Sequence, residues 1–169
     1  MTQTTHVVGI DPGLVDTGAV RLLIQPDQMM VESRAFKPAD LPELEHWVRP
    51  MGLDKPHIFV EKYRPRQNMG TDVSMVKLEQ DITEMLRSRG ANRIAMLQSN
   101  VGIKQVVSQP LMEVLQLWRF STATHHQDLR SAARIALLGM MKDDQLNTVL
   151  ANVVWAHLNG KAPQITHLV

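Results

Sequence analysis

Three carboxylates stand where a sheet-containing protein builds sites. Asp11 directly follows HVVGI (6–10), Glu61 directly follows HIFV (57–60), and Asp128 opens an alanine-striped helical segment. Strand ends in α/β sheets are where sites tend to form. A carboxylate buried there without partners costs several kcal/mol or takes up a proton, and three brought together repel one another. A divalent cation relieves both problems. Mg²⁺ is hard, prefers oxygen ligands and keeps several waters, so a few carboxylates suffice. His125 lies three residues before Asp128, on the same helix face, where an imidazole can bind metal or move a proton. Taken singly, Asp11-Pro12-Gly13 is also an ordinary turn, Asp128 an ordinary first-turn acid favoured by the helix dipole, and His126 a surface residue. Glu61 is the hardest to dismiss, because three cations follow it.

Those cations belong to a charge pattern that the total conceals. The 169 residues carry 18 Lys and Arg against 17 Asp and Glu, a formal net charge of +1. That sum alone argues against a strongly basic nucleic-acid binder. Yet residues 62–71 hold Lys62, Arg64 and Arg66 with no acid, and residues 85–127 hold five Lys and Arg, including Lys104 and Arg119, against Glu113 alone. Local basic faces bind phosphates whatever the net charge. Pro65 keeps the first run from being a regular helix or a central strand.

The elements that must position these groups are legible as one α/β domain spanning 1–169. Strands are expected at His6–Asp11, Ala19–Ile24 and Met29–Lys37, an antiparallel meander, then at 57–61 and Arg93–Leu97. Helices are expected at Pro38–Val48, at Thr71–Arg89, in two short pieces between Ser99 and Trp118, from about Thr124 to Met140, and at Asp144–Leu158. Residues 161–169 read as a loose tail. A chain of this length buries roughly 70% of the surface its unfolded state exposes. There is no cysteine, which excludes disulfides, thiolate zinc sites and a cysteine nucleophile. No apolar run approaches the roughly 18 residues of a membrane span, and the N-terminus has no signal-peptide pattern, so a cytoplasmic location is expected.

GIDPGLVDTGAV (9–20), FVEKYRPRQN (59–68), IKQVV (103–107) and HHQDLRSAARIAL (125–137) resemble, in order and spacing, the successive motifs of RuvC-type Holliday junction resolvases, a family of the RNase H-like, or retroviral-integrase-like, superfamily. The resemblance covers residues 6–140, and its compactness suggests a phage-type member acting in a host cytoplasm. It implies an RNase H-like fold, a five-stranded mixed sheet with its first three strands antiparallel, flanked by helices. Asp11, Glu61 and Asp128 resemble the metal carboxylates, His125 stands where relatives carry Asp or His, and Lys104 resembles a basic residue beside the site.

Resemblance and carboxylates together imply a metal-dependent endonuclease that cuts four-way junctions with two Mg²⁺ ions about 4 Å apart, Mn²⁺ being an alternative. No small-molecule cofactor or membrane is expected. Lys62, Tyr63, Arg64, Arg66, Lys104 and Arg119 would hold DNA. Cutting two opposing strands needs two sites, so a C₂ homodimer follows, with the helix over Thr71–Arg89 as a candidate interface or simply a cover for the sheet. Two departures stand out. Relatives often carry an aromatic three residues after the glutamate, thought to wedge into the junction; here that position is Arg64 and the aromatic is Tyr63. The stretch from Lys104 to His125 is also shorter than in bacterial members. A broader flap or branched-DNA nuclease, a junction binder without cleavage, and a nuclease for RNA–DNA hybrids are the alternatives.

Overall fold

Short β-branched and aliphatic runs, each ended by a turn sequence, build the sheet. The computed structural model describes residues 4–49, 55–65, 69–88, 94–97, 102–120 and 126–168. Its strands are β1 (Thr5–Asp11), β2 (Thr17–Ile24), β3 (Gln28–Phe36), β4 (His57–Glu61), β5 (Ile94–Leu97) and β6 (Gln164–Leu168). Its helices are α1 (Leu41–Val48), α2 (Val73–Ser88), α3 (Ile103–Val106), α4 (Gln109–Val114), α5 (His126–Lys142) and α6 (Asp144–Leu158). The strand order is β5-β4-β1-β2-β3-β6. The meander β1-β2-β3 is antiparallel, while β4 pairs parallel with β1, β5 parallel with β4, and β6 parallel with β3.

The sheet thus has six strands where the sequence predicts five. The sixth comes from the segment expected to be a loose tail. Gln164–Leu168 alternates weakly, with Ile165 and His167 half-buried between exposed neighbours. It is an edge strand whose order comes from pairing Met29 with Ile165 and Val31 with His167, which local sequence does not announce.

Period-two alternation divides the sheet's side chains between two cores. Val8, Ile10, Ile58 and Val60 point to the face covered by α1 and α2 and pack with Leu44, Val48, Leu78, Ile82 and Leu86. The apolar stripe of α2 is therefore spent on the sheet. Val7, Val20, Leu22, Phe59 and Leu97 point to the opposite face, against α5 and α6 and the 107–120 segment.

α5 crosses β1 and β2 without a layer of side chains between. A Cβ on Gly9 would fall 2.1 Å from the Ala132 carbonyl oxygen, and one on Gly18 would fall 2.5 Å from the Asp128 carbonyl oxygen. Such distances are not accessible to carbon, so glycine is required at both positions for this close approach. At the other end of the contact, Gly139 lies on the Phe59 ring. The alanine stripe of α5 and the two strand glycines together let backbone rest on backbone.

Candidate metal centre

The carboxylates converge because of strand register. Ile10 pairs with Val60 across parallel β1 and β4, so the next residues out, Asp11 and Glu61, emerge side by side. Alternation places both on the α5 face, since Gly9 and Phe59, two residues earlier, face α5. Asp11 also pairs with Gly18 on β2, and Gly18 is where the Asp128 backbone touches the sheet. The first turn of α5 is thereby set down beside the ends of β1 and β4. The turn after Asp11 is closed by Thr17, whose hydroxyl accepts from the Gly13 N–H at 3.4 Å.

Asp11 is the electrostatic centre of this arrangement. Its carboxyl is pushed up to about 9, first by burial, then by a hydrogen bond shared with Glu61 and by the charges of Glu61 and Asp128; a hydrogen bond from Ser131 pulls the other way. Burial penalises the charged form and neighbouring carboxylates add to the penalty. Near neutral pH, with no cation present, Asp11 keeps a proton and stays hydrogen-bonded to Glu61. Ser131, one turn beyond Asp128, was not singled out by the sequence; its place at i+3 from Asp128 is the signal that could have found it.

The donor set fits a hard divalent ion. A hydrogen-bonded, half-buried carboxyl pair that holds a proton for want of a countercharge, with a third carboxylate acting on it, is what such an ion replaces. Among the described residues, no three His, Asp or Glu side chains already stand at ligating separation. His125, the expected fourth ligand, lies outside the described residues, as does Arg66.

The remaining predicted residues sit around this end of the sheet. A cleft of about 360 Å³ beside Glu61 is lined by Pro12, Lys62, Tyr63, Arg64, Met75 and Glu79. The Lys62 N–H donates to the Leu97 carbonyl at 2.8 Å, which extends the β4–β5 pairing past Glu61 and leaves the Lys62 side chain exposed. Tyr63 is tied to α2 at both ends: its N–H donates to the Glu79 carboxylate, and its hydroxyl accepts from the Asp72 N–H at 3.1 Å. Arg64, Lys104 on α3 and Arg119 are exposed. His126, expected on the surface, is half-buried instead, and its Nδ1 accepts from the Phe120 N–H at 3.3 Å. It fastens the segment after α4 to the start of α5.

No family model matches the chain, and neither does any curated protein. Solved structures do. Thermus thermophilus RuvC in complex with a Holliday junction substrate superposes at a TM-score of 0.51 with 14% identity, over 94% of this chain and 98% of that one. The Thermus thermophilus RuvC structure gives 0.51 with 15% identity, over 94% and 99%. The chain has the RuvC fold. The expected antiparallel meander in a mixed, helix-flanked sheet is that RNase H-like architecture, here carrying a sixth strand. The yeast mitochondrial Holliday junction resolvase Ydc2 is similar at a TM-score of 0.49 with 15% identity, over 95% of this chain and 86% of that one.

Proposed function

We propose that this protein is a metal-dependent endonuclease that resolves four-way DNA junctions by paired phosphodiester hydrolysis. The observation that carries the reading is the hydrogen-bonded carboxyl pair Asp11–Glu61, with Asp128 brought beside it by Gly18, at the strand ends of a RuvC fold. Asp11, Glu61, Asp128 and His125 would hold two Mg²⁺ or Mn²⁺ ions. When bound, such a pair supplies an activated water and stabilises the leaving oxygen. Ser131 orients the Asp11 carboxyl and favours its ionised form. Lys62, Arg64, Arg66, Lys104 and Arg119 would neutralise DNA phosphates, which positions the substrate without reading its sequence. A wedge role for Tyr63 would require it to leave its contacts with Glu79 and Asp72. Two opposed cuts need two sites, so the active form is a homodimer. Because the α2 stripe already covers the sheet, the interface would draw on other residues, of which Met69 and Val73 are exposed at the start of that helix.

The test is a cleavage panel with Mg²⁺ on a four-way junction, a flap, a plain duplex and an RNA–DNA hybrid. Symmetric paired nicks confined to the junction are expected. Asp11→Asn and Glu61→Gln should abolish cutting while leaving junction binding largely intact. Either variant cutting at the wild-type rate removes this site. Equal cutting of flaps makes the protein a general branched-DNA nuclease, and cutting of the hybrid alone moves its substrate to RNA.

A further inference from the structure

A second site lies on the other flank of α5. A pocket of about 440 Å³ is lined by Glu113, Gln116, Trp118, Arg119 and His167. It is built by α4, the stretch after it and strand β6; the sequence carries a helix on to Trp118, whereas α4 ends at Val114. Among the described residues, Trp118 is its one aromatic ring besides the His167 imidazole. The Arg130 guanidinium lies 4.1 Å from the indole centroid and that of Arg134 lies 5.5 Å away. Arg130 Nε also donates to the Trp118 carbonyl at 2.7 Å, and the buried Arg134 donates to the Val107 carbonyl at 3.3 Å. The ring is thus fixed by cation–π contacts and by its own backbone before anything binds.

The rest of the pocket is equally preset. Gln116 has φ +55°, a left-handed conformation that a residue with a side chain adopts only when its surroundings hold it there. Its carbonyl accepts from Nε2 of His167 at 2.8 Å. His167 in turn packs edge-on against Phe120, with ring centroids 5.9 Å apart. Arg119 is exposed at the rim and makes no ion pair among the described residues. Glu113 offers carboxylate oxygens, one of which accepts from Gln109 at 2.7 Å. An aromatic ring held in place, an exposed cation and a carboxylate acceptor lining one pocket match the parts of one nucleotide: base, phosphate and exocyclic amine.

We propose that this pocket is a nucleotide subsite that takes an unpaired base of the branched DNA on Trp118, its phosphate on Arg119 and its exocyclic amine, from cytosine, adenine or guanine, on Glu113. This rests on the nuclease reading and deepens it. Arg130 comes two residues after Asp128, so pocket and carboxylates occupy opposite flanks of the first turns of α5.

The experiment is an affinity cycle in EDTA, where binding is read by fluorescence anisotropy and nothing is cleaved. Four-way junctions carrying one abasic nucleotide at successive positions from the crossover are compared on the wild-type protein and on Trp118→Ala. One position should lower wild-type affinity by roughly ten-fold or more, the scale of a lost base–aromatic stack. Trp118→Ala should lose a similar factor on the intact junction and nothing further on that abasic junction, whereas Trp118→Phe should retain most of the affinity. If Trp118→Ala does not fold, the same cycle is run with Arg119→Gln, which should be insensitive to base removal elsewhere yet non-additive at that position. A flat abasic scan on the wild type, or losses that multiply, overturns the subsite while leaving the nuclease reading standing. Failure of the wild type to bind branched DNA overturns both.

Discussion

Replacing Asp11 with asparagine should make the metal-free protein less sensitive to rising pH, and more stable than wild type at neutral pH. In an unfolded chain Asp11 ionises near 3.8, whereas folding pushes it up to about 9. A group whose folded value is raised contributes stability that is fully present below the unfolded value and is lost as pH climbs towards the folded one. Between these limits the folded state holds one more proton than the unfolded, and each pH unit removes about 1.4 kcal/mol. From pH 5 to pH 7 the wild type should lose about 3 kcal/mol through this group alone, or about 5–10 °C in melting temperature for a domain of this size. Asparagine mimics the protonated acid and carries no such linkage. The assay is thermal unfolding of both proteins in EDTA at pH 5, 6, 7 and 8, taken as a difference so that other titrating groups cancel. Saturating Mg²⁺ should abolish the wild-type penalty, because the ion replaces the proton, and should leave Asp11→Asn nearly unaffected. Parallel pH profiles for the two proteins in EDTA would refute the raised Asp11 carboxyl and the cation site inferred from it.

Two other substitutions test the geometry around that carboxyl. Ser131→Ala removes a donor that favours the ionised form and should weaken Mg²⁺ binding at pH 7 by about ten-fold or more, read by calorimetric titration; unchanged affinity would take Ser131 out of the site. Gly18→Ala sets a Cβ 2.5 Å from the Asp128 carbonyl oxygen and must lift the start of α5, so junction cleavage should fall by about 10²-fold in a folded protein. Full cleavage by that variant would show that the helix is not held where the packing puts it.

Most elements that carry the centre were legible because local pattern and tertiary context agree in them. HIFVE (57–61) is an apolar run introduced by Pro56, and it is the strand β4. The last helix begins at Asp144 as predicted, because the Asp143 side chain caps it by accepting from the N–H groups of Gln145 and Leu146. Alternation along β1 and β4 is enough to put Asp11 and Glu61 on one face once the strands are taken as parallel neighbours. What sequence could not give was contact across elements. Nothing in QITHL (164–168) says that β3 needs a neighbour, and HHQDLRS (125–131) puts Ser131 on the Asp128 face without saying that it will reach Asp11. Gly18 reads as part of a strand, and its function, to admit a backbone, depends on the helix that arrives more than a hundred residues later.

The seating of α5 on two glycines also bears on how this protein can change. A site spaced by interlocking side chains drifts whenever one of them is exchanged. Here the separation between Asp128 and Asp11 is set by main chain against main chain, and main chain is the same in every sequence. The two apolar layers could be rebuilt with other residues of similar volume, and the carboxylates would keep their spacing. Variation in the rest of the cores should therefore be cheap for activity, and the positions where packing bears directly on chemistry reduce to the two strand glycines and the small residues of α5 that meet the sheet. For a redesign aimed at stability, the other inner positions are open ground, and Gly9, Gly18, Ala132, Ala136 and Gly139 are the residues to leave alone.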